Sequence, residues 1–325
     1  MNEDSRWLAA AASLASRARP LSRPNPAVGA IIVRENAVVG RGWTHDGGRP
    51  HAEAVALEKA GDEAKDATLY VTLEPCAHES KRGPACADLI AASPLARLVV
   101  GCEDPDPRTA GDGIARVREA GIEAELVPSP EAEASLAGYL KLRRHGRPEV
   151  TLKLATSLDG CIALADGQSQ WITGDAARAH CHAMRAKSDA ILVGGGTLRA
   201  DAPRLDVRLQ GLEDRSPERW VLTRGQAPQG WHTLPSPDAI SGMVDTQYLF
   251  VEGGAQTAAA FLAAGLVDRL LVYRAPIAIG SGMPCIGDIG LGSLDDAHGQ
   301  WQITDRRQLG KDSLEVYQRA PCSPA

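Results

Sequence analysis

Aromatic side chains are scarce in this 325-residue chain, which holds 2 Phe, 5 Tyr and 6 Trp, and its 35 Lys and Arg are outnumbered by 41 Asp and Glu. A nucleic-acid channel needs stacking rings interleaved with a cationic face, so both deficits argue against a nucleic-acid partner. Long apolar runs are also missing: no window approaches the roughly 18 residues of a membrane span, and no membrane partner is expected. The start, Met1-Asn2-Glu3-Asp4-Ser5, is acidic, unlike the basic opening of a secretory leader. Seven cysteines, an odd number without framework spacing, do not describe a disulfide scaffold, and a reducing, cytoplasmic setting is expected. What remains is an ordinary globular composition, 44% hydrophobic and 23% charged, in a chain long enough for two domains. These features describe a soluble acidic enzyme; self-association is left open.

The most informative stretch runs from His51 to Cys86. His51, Cys76 and Cys86 supply three ligands of the kind Zn²⁺ prefers, and Glu53 stands two residues past the His, where a carboxylate can carry protons for water on the metal. No fourth Cys or His follows at matching spacing, which is the pattern of a catalytic rather than a structural zinc. His51 and Glu53 fall in the first turn of an Ala-rich helix, Cys76 follows the strand 67–73 at a Glu74-Pro75 break, and Cys86 opens another helix. Upstream, Pro24-Asn25-Pro26 is a rigid turn; the Asn25 amide either hydrogen-bonds a heterocycle or caps the turn. His78 would be awkward as a fourth ligand and is assigned to substrate, while Lys81 and Arg82 would suit a phosphorylated substrate or form a solvated loop.

Strands and helices continue to alternate after Cys86, the rhythm of a layered α/β domain. Arg143-Arg144-His145-Gly146-Arg147-Pro148 is basic and ends in Gly and Pro, so the boundary is placed near residue 147, giving domains 1–147 and 148–325. In the second, the strand 190–193 runs into Gly194-Gly195-Gly196-Thr197, and the strand 248–251 into Glu252-Gly253-Gly254, with a helix expected over 258–264. Two strand–glycine–helix units suggest a dinucleotide cradle, although neither fits G-x-G-x-x-G. A third strand ends at Arg224, either a 2′-phosphate partner favouring NADPH or an exposed strand-end cation.

His51-x-Glu53 and Pro75-Cys76, with the long spacing to Cys86 and Pro24-Asn25-Pro26-Ala27-Val28-Gly29, resemble the deaminase domain of the RibD family, bifunctional deaminase/reductases of riboflavin biosynthesis. Lys153-Leu154-Ala155, Ser157-Leu158-Asp159-Gly160, Ser169-Gln170-Trp171-Ile172-Thr173, Asp201-Ala202-Pro203-Arg204-Leu205 and Val251-Glu252-Gly253-Gly254 resemble its reductase domain. Two departures stand out: Arg23 replaces a His before Pro-Asn-Pro, and the loop Ala77–Ala85 is longer and lacks the usual Gly-(Arg/Lys)-Thr-Pro-Pro.

The resemblance implies two three-layer α/β domains, one cytidine-deaminase-like and one dihydrofolate-reductase-like, using Zn²⁺ and NADPH. It implies that the first deaminates 2,5-diamino-6-(5-phosphoribosylamino)pyrimidin-4-one and the second reduces the ribosyl group to ribityl. Ala155, Trp171, Thr197, Asp201, Arg224 and the run Gly254, Ala255, Gln256, Thr257, Ala258, Ala259, Ala260 would face NADPH. Ser169, Leu205, Arg208 and Glu252 would face the phosphorylated pyrimidine, and Lys153 and Asp201 would flank the hydride path. A zinc nucleic-acid deaminase with an accessory binding domain is the rival reading, and the acidic, aromatic-poor composition weighs against it.

Overall fold

Asn2 accepts the Ser5 N–H at 2.8 Å and two acidic residues follow, so helix α1 (Glu3–Ala15) starts at a side-chain cap with its dipole complemented. The computed structural model describes residues 2–78 and 82–320, which divide into two units, Met1–Gly146 and Arg147–Ala325.

The first unit continues with β1 (Gly29–Arg34), β2 (Ala37–Trp43), α2 (Ala52–Ala60), β3 (Thr68–Val71), α3 (Cys86–Ala91), β4 (Arg97–Val100), α4 (Asp112–Glu119), β5 (Glu123–Leu126), α5 (Pro130–Ser135) and α6 (Ala137–His145). Its sheet has the order β2-β1-β3-β4-β5, antiparallel around β1 and parallel from β3 to β5. Period-two alternation sends Ile31, Val33, Tyr70 and Val99 to the α1 face and Ile32, Leu69, Leu98 and Val100 to the face covered by α2, α3 and α4, giving three layers. Small residues bring α2 close. A Cβ on Gly42 would lie 2.2 Å from the Ala52 carbonyl, so only glycine lets β2 touch the turn that carries His51 and Glu53.

The second unit comprises β6 (Glu149–Thr156), β7 (Cys161–Ala163), α7 (Asp175–Arg185), β8 (Ala190–Gly194), α8 (Gly195–Asp201), β9 (Glu218–Leu222), β10 (His232–Leu234), β11 (Tyr248–Val251), α9 (Ala255–Ala263), β12 (Arg269–Arg274), β13 (Met283–Pro284), β14 (Trp301–Leu309) and β15 (Asp312–Arg319). The eight-stranded sheet has the order β10-β9-β8-β11-β6-β12-β15-β14, parallel from β10 to β12 and closed by an antiparallel hairpin. One face packs on α9 through Leu152, Leu192, Val251 and Phe261, and the other on α7 through Ile191, Phe250, Leu271 and Tyr273. The parallel strands thus end along one edge, with their loops side by side.

Four local details go beyond the sequence pattern. His51 is the extended residue capping α2 rather than a member of its first turn. The basic run before the boundary is the last turn of α6, where Arg143, Arg144 and His145 complement the helix C-terminus and Gly146 turns away at φ 65°. The glycine triplet is not all loop, because α8 already begins at Gly195. The helix expected from residue 258 begins three residues earlier, at Ala255.

Candidate active sites

In the first unit, the end of β3, the cap of α2 and the start of α3 meet. His51, Cys76 and Cys86 bring one ligand atom each within 4.8 Å of one another. His51 Nδ1 lies 3.2 Å from Cys86 Sγ and 3.6 Å from Cys76 Sγ, and the Cys86 N–H donates to Cys76 Sγ at 3.3 Å. Tetrahedral zinc with ordinary Zn–S and Zn–N bonds spaces its ligands roughly 3.5–3.8 Å apart, so the donor set and its geometry fit that ion. A hydrogen bond from Cys86 pulls the Cys76 thiol far down, to about 3, while the Cys86 thiol is pushed up. The pair therefore shares one proton, which a cation between the sulfurs would displace.

Glu53 is 3% exposed, and its Oε2 finds no hydrogen-bond partner among the described residues. Burial raises its pKa. A buried carboxyl with a free oxygen beside a metal-ligand triad is the group expected of a proton carrier. Asn25 Nδ2 donates to the Gly48 carbonyl at 3.1 Å and stands 3.1 Å from His51 Nε2, so Asn25 braces the ligand's far nitrogen as well as the loop beside it. His78 Nδ1 lies 3.5 Å from Thr109 Oγ1. Arg82 donates to the Gly47 carbonyl at 2.6 Å, and Lys81 lies outside the described residues.

Glu74 is a supporting residue to which the sequence reading gave no role. It is buried and accepts the N–H groups of Asp104, Gly111 and Ile114 at 3.3, 3.0 and 3.1 Å. Asp104 in turn accepts from the Asp106 N–H at 3.0 Å and the Tyr139 hydroxyl at 2.8 Å. This carboxylate scaffold shapes the loop that carries Thr109 to His78. Only the Glu-Pro break at 74–75 hinted at it.

The second unit holds a cleft of about 490 Å³ at the strand ends. Of the residues singled out from sequence, Lys153, Ala155, Ser169, Trp171, Thr197, Asp201, Leu205, Arg208, Glu252 and Gly254 line it. Its floor is ionic: Arg185 holds Glu252 through two hydrogen bonds at 2.6 and 3.0 Å, and Lys153 Nζ approaches Glu252 at 3.8 Å. Burial works to raise the Glu252 pKa, but these two cations outweigh it and bring it down to about 2. Arg208 reaches His182 Nε2 at 3.3 Å on the rim. Arg185, Cys181 and His182 were missed by the sequence reading. Ala177, Cys181 and Arg185 share one helical face by their four-residue spacing, and the partner that makes Arg185 informative lies 67 residues away.

The remaining sequence candidates lie elsewhere. The Thr257 side chain points away from the cleft into the glycines: a Cβ on Gly194 would sit 2.2 Å from its Oγ1, and one on Gly253 2.3 Å from its Cβ. Those two glycines let α9 seat on the sheet, while Gly196, Gly253 and Gly254 line the cleft. Ala258 and Ala259 are buried, Ala258 within the core, so their side chains are not available to a cofactor. Ala255, Gln256 and Ala260 sit on α9 outside the cleft lining, and Arg224 is exposed just beyond β9.

Residues 1–102 match the cytidine and deoxycytidylate deaminase zinc-binding region, and residues 148–237 and 238–314 match the RibD C-terminal domain. The chain is 37% identical to riboflavin biosynthesis protein RibD of Escherichia coli, over 95% of this chain and 98% of that one. It is 35% identical to the protein of the same name from Aquifex aeolicus, over 97% and 98%. A solved structure of Acinetobacter baumannii RibD superposes with a TM-score of 0.85 at 33% identity, covering 98% of this chain and 99% of that chain. A Thermotoga maritima structure described as a diaminohydroxyphosphoribosylaminopyrimidine deaminase/5-amino-6-(5-phosphoribosylamino)uracil reductase superposes with a TM-score of 0.84 at 29% identity, with the same coverage. No helix among the described residues is long and apolar enough to cross a membrane. The chain belongs to the RibD family of riboflavin-biosynthesis enzymes, joining a zinc-dependent hydrolytic deaminase to a reductase that uses a nicotinamide cofactor.

Proposed function

We propose that the first unit, taken as residues 1–147, deaminates 2,5-diamino-6-(5-phosphoribosylamino)pyrimidin-4-one. The second, residues 148–325, then reduces the ribosyl chain of the deaminated product with NADPH. The observation that carries the reading is the pairing of a buried, protonatable Glu53 with the His51, Cys76 and Cys86 triad in one unit and an ionic cleft of about 490 Å³ in the other.

His51, Cys76 and Cys86 would hold zinc, which would supply the Lewis acidity that activates a water. Glu53 accepts the proton as the water oxygen bonds the amino-bearing ring carbon, and returns it to the departing nitrogen, which leaves as ammonia. Asn25 and His78 orient the ring. In the second unit the cofactor supplies the hydride and the chain supplies position and charge. Arg208 binds the substrate phosphate as a charge-assisted donor, and Ser169 and Leu205 contact the pyrimidine. Glu252, held ionised by Lys153 and Arg185, positions the Lys153 side chain, 3.8 Å away, beside the reacting sugar carbon. Ala155, Trp171, Thr197 and Asp201 contact the cofactor along the cleft, and Gly254, Ala255 and Gln256 offer backbone N–H groups to its pyrophosphate. Six unpaired cysteines among the described residues support a reducing, cytoplasmic setting.

The test is a coupled assay on zinc-loaded protein given the diaminopyrimidine phosphate. Ammonia release followed by NADPH oxidation in equal amounts supports the reading, and ammonia without NADPH oxidation overturns its second half.

A further inference from the structure

Among the described residues, Arg199 makes no ion pair or hydrogen bond, and neither does Arg224. The arginines nearer the cleft are all engaged: Arg185 with Glu252, Arg178 with Asp175, Arg204 and Arg208 with Asp206. Arg199, on α8 after β8, and Arg224, just beyond β9, are thus left without a protein partner among the described residues.

Their location is specific. Strands β6, β11, β8 and β9 are parallel neighbours in that order, so their C-terminal ends form a row about 14 Å long at ordinary strand spacing. The reacting end of the cleft is fixed by Lys153 on β6 and Glu252 after β11. Gly196 and Gly254, in the next positions along the row, leave room for a pyrophosphate. A dinucleotide laid with its nicotinamide over Lys153 therefore brings its adenosine ribose to the end of β9, where the chain reads Thr223-Arg224-Gly225.

Arg199 reaches that corner from α8. Its Nη1 lies 3.2 Å from the point where a Gly195 Cβ would be, and the Thr223 Cβ and Oγ1 lie 3.5 Å from the same point. The absent side chain of Gly195 is thus the space through which the Arg199 guanidinium runs back to the tip of β9. Arg199 then stands beside Thr223, and Arg224 is the next residue of the chain, at the strand end where a dinucleotide reader of the unphosphorylated kind would place a carboxylate for the ribose hydroxyl. Guanidinium forks match a phosphate monoester dianion in charge and geometry.

We propose that Arg199 is a specificity-determining residue that, with Arg224, binds the 2′-phosphate of the cofactor and selects the phosphorylated dinucleotide. This rests on the NADPH reading above. The test is calorimetric titration of the full zinc-loaded chain with NADP⁺, NAD⁺, 2′,5′-ADP and 5′-AMP, for wild type, R199A and R224A. Arg199 is exposed, so R199A should melt at the wild-type temperature. It should weaken NADP⁺ and 2′,5′-ADP about tenfold, as loss of one charge-assisted contact does, and leave NAD⁺ and 5′-AMP within about twofold. R224A should act in the same direction. If R199A weakens all four ligands equally, or none, the assignment of Arg199 is wrong while the NADPH reading stands. If the wild type binds NAD⁺ as tightly as NADP⁺, the NADPH reading itself fails and the assignment falls with it.

Discussion

Glu53 is held at the metal triad with one buried oxygen unpartnered, a cost in stability that a proton carrier for the reaction accounts for. Glu53→Gln keeps the shape and removes the proton carrier. It should retain about one zinc per chain by atomic absorption and lose about 10²–10⁴-fold in ammonia release, the range of a positioned general base; near-normal release would exclude the role. Glu252 gives a second residue-level expectation with a defined sign. Its folded pKa, about 2, lies below the roughly 4.3 of an unfolded Glu. The ionised form therefore stabilises the fold fully above pH 4–5, and that contribution is lost as pH falls toward 2. Glu252→Gln should lower the urea midpoint at pH 7 and flatten its decline through this window. An equally steep decline would mean that the Arg185 and Lys153 contacts do not set the acid limb.

At the level of elements, small residues decide where functional groups end up. Gly42→Ala would drive a methyl into the Ala52 carbonyl and lift α2 from β2. Overpacking of this kind typically costs about 1–3 kcal/mol, and because α2 begins at His51 the variant should also bind zinc more weakly in a chelator competition. Unchanged zinc affinity would show that the triad does not depend on this packing. Much at this scale was legible: apolar runs marked β1, β3, β4, β8 and β11, and the order His51, Glu53, Cys76, Cys86 announced the metal chemistry. Other features were not. Glu74 reads as half of a strand-breaking pair, and its role depends on amides 30 to 40 residues away. The glycine loops read as phosphate cradles, yet Gly194 and Gly253 are spent on seating Thr257, a contact made by a helix that starts earlier than its apolar pattern suggested. Arg185 looked like one more helical cation until Glu252 stood opposite it.

At the scale of the whole molecule, each unit has its own core and its own site chemistry. The triad lies wholly in the first and the cleft wholly in the second. Stripping zinc should therefore silence only the step that releases ammonia. The most direct measurement gives chelator-treated and zinc-restored protein two substrates in turn, the diaminopyrimidine phosphate and its deaminated product, and follows ammonia and NADPH absorbance together. Expected is that the stripped protein releases no ammonia from the first yet oxidises NADPH at the restored rate with the second, and that zinc returns the full sequence. NADPH oxidation that disappears with the zinc when the deaminated product is supplied would contradict two independent active sites in one chain.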